Sequence, residues 1–274
     1  MTKKVVFGNF KGGTGKTTNS CMIAYHLAKK GYRTLLVDLD PQANATSLFL
    51  LTAQRQRKEV ISFDTTLMTA ISNGDLLPIV TPISENLFLL PSFSDFTSFP
   101  LFLEKKFPQD IPERSRYFST LLKPLEKEYD FIIFDLPPTL SVYTDSALVA
   151  SDAIVIVLQT QERSLVGAEA FIDYIQEIYN QYQVNFDILG ILPVLLKNQS
   201  IVDESVLVNA RKTFGEENLF ANIIRNMERL KRYDITGIID PDIDEQFDMH
   251  DKKVHDLYSN VTEEFLERFR KLEA

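Results

Sequence analysis

Two lysines, three threonines and a run of glycines crowd the segment Phe10-Lys11-Gly12-Gly13-Thr14-Gly15-Lys16-Thr17-Thr18. Gly15-Lys16-Thr17 closes a phosphate loop of the G-x-x-x-x-G-K-[ST] kind, its opening glycine supplied loosely by Gly8 or by the Gly12-Gly13 run. Such a loop wraps backbone N–H groups around a triphosphate, while the lysine reaches the β- and γ-phosphates and the hydroxyl takes Mg²⁺. Lys11 to Thr18 is therefore the candidate nucleotide-binding set, with Lys16 on the phosphates and Thr17 on the metal. Lys11 is surplus to an ordinary loop. A second cation beside the nucleotide points to a site completed by a partner subunit.

Three acids close apolar runs further along. Leu35-Leu36-Val37 leads to Asp38 and Asp40, and Phe131-Ile132-Ile133-Phe134 leads to Asp135. In an open parallel sheet the ligand lies beyond the carboxyl ends of the strands, so these acids are expected to converge on the phosphates. Mg²⁺ takes octahedral oxygen ligands and keeps several waters. Thr17 would bind it directly, Asp135 and Asp38 through metal-bound waters, and Asp40 would orient the attacking water. Lys11, Lys16 and Asp40 then form the catalytic set. Singly, each acid could be a turn aspartate after a strand; two apolar-run-then-Asp segments behind a phosphate loop favour the metal reading.

The elements that must position these groups alternate. Lys3–Phe10 reads as a strand entering the loop and Thr17–Lys30 as a helix leaving it, the arrangement that binds phosphate through aligned peptide dipoles. Further strands are expected at Thr34–Asp38, Ile79–Ile83, Leu87–Leu90, Phe131–Phe134, Ala153–Leu158 and Ile188–Leu196. Helices are expected from Gln42 to about Leu51, near Thr66–Ser72, over Ser115–Glu128 and over Ala168–Tyr182, with a charged segment at Arg55, Arg57, Lys58 and Glu59. The last of these helices puts Phe171, Tyr174, Ile175, Ile178, Tyr179 and Tyr182 on one face. Strands buried on both sides and separated by amphipathic helices predict a doubly wound α/β fold, a mostly parallel sheet with helices on both faces. One domain over 1–274 is the economical reading, with residues 91–116 as an irregular surface insertion.

Composition narrows the classes. With 274 residues, 45% of them hydrophobic, the chain can bury a full core. It has no eighteen-residue apolar run and no basic-then-apolar leader, so a soluble, cytoplasmic protein is expected. Cys21, the single cysteine, reads as a small buried apolar residue, and one thiolate per chain argues against a bridging iron–sulfur cluster. The net charge of −9 is unlike a basic nucleic-acid coat, so any DNA affinity must come from a local patch or from dimerisation.

These residues carry a family resemblance that runs nearly end to end. Lys11-Gly12-Gly13-Thr14-Gly15-Lys16-Thr17-Thr18 resembles the deviant Walker A box of ParA/MinD-type P-loop ATPases. Val37-Asp38-Leu39-Asp40-Pro41-Gln42-Ala43-Asn44 is similar to their second box, and Asp135-Leu136-Pro137-Pro138 with 144–152 to their Walker B region. Stretches 143–152, 222–237 and 251–261 look closest to the δ-type plasmid partition ATPases of Gram-positive plasmids. The resemblance implies an ATP-dependent partition ATPase that forms a nucleotide-sandwich homodimer, Lys11 crossing to the other subunit's ATP. A cation delivered in trans would stabilise charge on the transferring phosphoryl group, as an arginine finger does. It further implies slow hydrolysis stimulated by DNA and by a small ribbon-helix-helix centromere-binding protein. The departures are Ala43, where the family usually has Gly, and Ala168-Glu169-Ala170, where many relatives have Ala-Leu-Glu-Gly.

With the loop so near the start, no helix-turn-helix domain is expected ahead of it, and operator-specific binding by this chain alone is not expected. Non-specific DNA binding would fall to Arg225, Arg229, Lys231 and Arg232, the densest basic cluster, through salt-sensitive phosphate contacts. The same cluster could instead be a solvated helix face or the wall of an adenine pocket. From Lys253 to Leu272, apolar residues recur at helical spacing. A MinD-like membrane helix carries a basic polar face, whereas here Glu263, Glu264, Glu267 and Glu273 offset Arg268, Arg270 and Lys271, so packing on the sheet is expected. Three readings stand: a DNA-segregation ATPase, nucleoid-associated when ATP-bound; a membrane-recruited positioning ATPase; and a nucleotide-gated adaptor without DNA binding.

Overall fold

The computed structural model describes residues 1–58, 60–196 and 201–273, with the backbone alone at 162 and 163. Glu59, expected in the charged segment, lies outside the described residues. Among these residues one eight-stranded sheet runs in the order β3-β4-β2-β5-β1-β6-β7-β8. Its strands are β1 (Lys3–Gly8), β2 (Thr34–Asp38), β3 (Thr81–Ser84), β4 (Leu87–Leu90), β5 (Phe131–Asp135), β6 (Ala153–Gln159), β7 (Asp187–Leu196) and β8 (Ile224–Arg225). All neighbours are parallel except β3 with β4. The helices are α1 (Lys16–Lys29), α2 (Asn44–Arg57), α3 (Leu67–Asn73), α4 (Phe99–Lys106), α5 (Ile111–Leu122), α6 (Val142–Ala150), α7 (Glu162–Tyr182), α8 (Ile201–Phe214), α9 (Glu228–Thr236) and α10 (Met249–Leu272).

The doubly wound expectation holds, and alternation along each strand shows why. Val5, Phe7, Leu36, Ile133 and Val155 face a core shared with α1, α2 and α10. Val6, Leu35, Val37, Ile132, Phe134, Ile154 and Ile156 face a second core under α3 to α7. A strand with helices on both sides is apolar at every position, hence the uninterrupted runs. The chain leaves β1 towards β2 on one side and later returns through β6 on the other. The crevice between those departures, at the carboxyl end of β1, is the switch point where such sheets bind ligands.

Several boundaries differ from expectation. α2 runs on past Leu51 through Arg57, so Arg55 and Arg57 are helical; Arg55 is held by Asp244 at 2.7 Å. Leu77–Ile79 is a 3₁₀ turn carrying Pro78, and β3 starts only at Thr81. Residues 91–116, read as irregular, are mostly helical: a 3₁₀ turn at Ser94–Ser98, then α4 and the start of α5. Phe96 and Phe99 are wholly buried, so the phenylalanines that looked like loop content are core. α5 starts ahead of Ser115 because the Asp110 carboxylate accepts the Glu113 N–H and Pro112 sits in the first turn. On α7, Tyr179 is 44% exposed and lies off the buried face. α10 packs as expected, with Val254, Tyr258, Val261, Phe265 and Phe269 in the core. Among the described residues no helix is long and apolar enough to cross a membrane.

Candidate functional site

The loop between β1 and α1 bends through Gly13 (φ +71°) and Gly15 (φ +82°), left-handed conformations that glycine adopts without a Cβ penalty. Gly15 is the residue from which α1 starts, and no side chain caps that end. Unpaired N–H groups of a first helical turn suit an anion. The turn is fixed from behind. Asn19 Nδ2 donates to the Gly15 carbonyl at 2.7 Å, and Asn19 Oδ1 accepts the Tyr258 hydroxyl at 2.9 Å.

Lys16 is buried, its ammonium donating to the Lys11 carbonyl at 3.2 Å. Burial lowers its pKa, while the carboxylates of Asp135 and Asp40 act to raise it. The Ser20 hydroxyl donates to Asp135 Oδ1 at 3.0 Å. Burial pushes the Asp135 carboxyl upward against Thr17, Ser20 and Lys16, which favour its charged form. Its other oxygen, Oδ2, is buried without a hydrogen-bond partner of regular geometry among the described residues. Such an orphaned acceptor beside a threonine hydroxyl fits a hydrated divalent cation.

Asp38 stands directly beside Asp135 in the register of β2 and β5. Burial, with the neighbouring Asp135 charge, pushes its pKa well above the usual carboxylate range. Both its oxygens are already engaged: Oδ1 accepts the Asp40 N–H at 3.0 Å, and Oδ2 accepts the Thr46 N–H at 2.8 Å and the Thr46 hydroxyl at 2.7 Å. Of the two acids, Asp135 thus offers the unsatisfied oxygen, and Asp38 braces the turn that carries Asp40. Asp40 in turn accepts the Gln42 N–H at 2.9 Å, and that turn ends at Ala43, left-handed at φ +55°. A left-handed position is where glycine is the easier residue, the physical sense of Ala43 as a departure.

Thr46 was missed by sequence reasoning. Its hydroxyl donates to Asp38 and accepts the Ser92 N–H at 2.9 Å, tying β2, α2 and the segment after β4 together. Only its place in the first turn of α2, eight residues past Asp38, could have hinted at it.

Gly13 to Thr18 and Asp40 line one cleft of about 630 Å³ with Pro138, Lys231 and Asp234, within the range of small-molecule sites. Lys11 is not among the residues that line it; its ammonium donates to Gln161 and Ser164. The four basic residues named for DNA do not form one patch. Lys231 faces the nucleotide cleft and pairs with Glu228 at 2.7 Å. Arg229 is held by Asp248 and by the buried Asp251, where it braces the capped start of α10. Arg232 opens onto a separate hollow that Arg229 also lines, with His250 and Lys253, and Arg225 lies exposed on the edge strand β8.

A parallel sheet with its phosphate loop at the switch point, and a lysine, a threonine and paired acids around it, defines a P-loop nucleotide-hydrolase fold. A model of the AAA domain family matches residues 2–188, and the chain belongs to that family as a ParA/MinD-type ATPase. Among curated relatives, the chromosome-partitioning ATPase Soj of Thermus thermophilus is 29% identical, covering 82% of this chain and 82% of its own length. The virulence plasmid ParA family protein pGP5-D of Chlamydia psittaci is 32% identical over 69% of this chain and 68% of its own. The fold is that of McdA from Cyanothece, with a TM-score of 0.79 at 21% identity over 98% of this chain and 100% of that one. A plasmid partition protein from Borrelia burgdorferi bound to AMPPNP gives 0.74 at 22% identity, over 99% of each chain.

Proposed function

We propose that this chain is a DNA partition ATPase, serving a plasmid or chromosome, whose ATP-bound homodimer binds DNA without sequence preference. Hydrolysis, stimulated by DNA and a small centromere-binding protein of the ribbon-helix-helix kind, resets it. The observation that carries this reading is the second lysine: Lys11 does not line the phosphate-loop cleft, and its ammonium lies on Gln161 and Ser164, so its charge is not spent on this chain's own phosphate site. Relatives named for chromosome partitioning and for plasmid ParA support the biological setting.

In this reading Gly12 to Thr18 wrap the phosphates and Lys16 neutralises them, its lowered pKa offset once a polyanion is bound. Thr17 and Asp135, with Asp38 behind them, would hold Mg²⁺, which when bound would supply positive charge to the β- and γ-phosphates. Asp40, on its braced turn, orients the attacking water. Arg229 and Arg232, on one hollow with His250 and Lys253, and the exposed Arg225 would meet DNA phosphates, whereas Lys231 serves the nucleotide side. Val254, Tyr258, Val261, Phe265 and Phe269 turn the apolar face of α10 into the core and leave exposed large apolar side chains only at its ends, Met249 and Leu272, which disfavours the MinD-like alternative. The protein is then cytoplasmic, and nucleoid-associated when ATP-bound.

The test is ATP hydrolysis measured with and without DNA and the product of the neighbouring gene, alongside DNA co-sedimentation in ATP at rising salt. Stimulation by both additions and salt-sensitive, ATP-dependent sedimentation are expected. Pairing with ATP but no DNA retention at low salt would leave the adaptor reading in its place.

A further inference from the structure

A lysine whose task lies on another subunit should be clear of its own chain, and Lys11 is not. Its ammonium donates to Gln161 Oε1 at 2.8 Å and to Ser164 Oγ at 3.1 Å, residues 150 and 153 positions away. Gln161 immediately precedes α7 and Ser164 lies in its first turn.

Everything around this contact except the lysine tail is fixed. The Lys11 N–H donates to Asn9 Oδ1 at 2.9 Å, and Asn9 Nδ2 donates to the Val157 carbonyl at 2.7 Å. The Phe10 ring meets Phe171 and Tyr174 of α7 edge-on, with centroids 4.9 and 5.3 Å apart. Gly8 has no Cβ, and one built there would fall 2.1 Å from the Phe171 ring, so strand and helix lie in direct contact. Loop and helix thus form one packed unit, and the rotatable methylenes of Lys11 are what can move.

The two acceptors differ in what release does to them. Gln161 is exposed, and water would replace the lysine there. Ser164 is wholly buried. Withdrawing the ammonium leaves its hydroxyl without that partner, and an unmade bond at a buried polar group costs far more than a made one gains. The hold therefore resides chiefly in Ser164.

We propose that Ser164 and Gln161 are positioning residues that hold the Lys11 ammonium in cis, so that ATP-dependent pairing must strip it from them. The affinity of the dimer is then set partly by α7 and not by the interface alone. This rests on the reading that Lys11 acts across the dimer.

Two measurements on the intact chain test it separately. The first is the acylation rate of the Lys11 amine by a small amine-reactive ester, read by peptide mass in nucleotide-free protein, where no dimer is involved. The second is the ATP-dependent dimer dissociation constant from sedimentation. Ser164→Ala should raise the acylation rate and tighten the dimer, each about tenfold, the effect of losing one such hydrogen bond. Gln161→Glu, which swaps a neutral acceptor for a carboxylate, should move both the opposite way. A purely structural role for these residues would not produce opposite shifts. Unchanged Lys11 reactivity in both variants would overturn the hold itself. Altered reactivity with an unmoved dimer constant would instead overturn the trans role of Lys11, and with it the link to pairing.

Discussion

Replacing Thr46 by valine keeps its shape and deletes one hydroxyl, and three elements lose their junction. The Thr46 N–H still reaches Asp38, but the 2.7 Å bond to Asp38 Oδ2 goes, and the Ser92 N–H loses its 2.9 Å acceptor. Ser92 is 1% exposed, so water cannot replace that acceptor cheaply. A buried donor left unmade costs about 1–3 kcal/mol and a lost bond to the carboxyl about 1 kcal/mol more, giving about 2–4 kcal/mol in all. No cavity opens, because the added methyl fills the site. Urea unfolding of Thr46→Val against wild type measures the loss, with Thr46→Ser as the control that keeps the hydroxyl. The expected order is wild type, then Ser within about 1 kcal/mol, then Val well below. A loss in Ser larger than in Val would show that the methyl, not the hydroxyl, holds this corner, and Val unfolding like the wild type would refute the bracing assigned to Asp38 and Thr46. Because the Asp40 N–H hangs on the same carboxylate, ATP turnover should fall in Val and not in Ser.

Other consequences follow from single observations. Ala43→Gly should raise stability by about 0.5–1 kcal/mol in the same assay, since relief of the left-handed strain at φ +55° exceeds glycine's entropic cost. His26 lies buried between α1 and α10, its Nε2 3.2 Å from His255 Nδ1, and burial, with His255 and Lys30 behind it, pushes its pKa down to about 3. A base depressed on folding binds fewer protons folded than unfolded, so its stability is full above about pH 6.5 and is lost as pH falls towards 3. From pH 7 to 5 the wild type should lose about 2 kcal/mol more than His26→Gln, and parallel curves in urea titrations would exclude the effect. Lys16→Ala removes the buried cation of the phosphate loop, and should abolish ATP binding or hydrolysis in a fluorescent-nucleotide and phosphate-release assay, with the unfolding midpoint little changed.

The parts of this molecule legible in its sequence are those whose cause is local. Apolar runs ending in Asp38 and Asp135 marked two strands because a doubly covered strand is apolar throughout, and the glycines at 13 and 15 marked the loop because its left-handed turns need them. The contacts that stayed hidden are set by distant partners. Nothing near Lys11 announces Gln161 and Ser164, and nothing near Arg229 announces that Asp248 and Asp251 will claim it from across the turn before α10. A run such as Phe96 to Phe107 looked like loop because Pro and Ser interrupt it, although Pro100 sits harmlessly in the first turn of α4. Charge density was only partly a guide: of four basic residues near one another in sequence, Arg229 and Arg232 share one hollow, while Lys231 faces the cleft and Arg225 the sheet edge.

The claim that most needs testing is that ATP pairs two chains through Lys11. Sedimentation of Lys11→Ala with ATP and Mg²⁺, together with its nucleotide affinity and turnover, addresses it directly. The expected result is a chain that still binds ATP, stays monomeric and has lost turnover. A variant that dimerises and hydrolyses ATP like the wild type would contradict it.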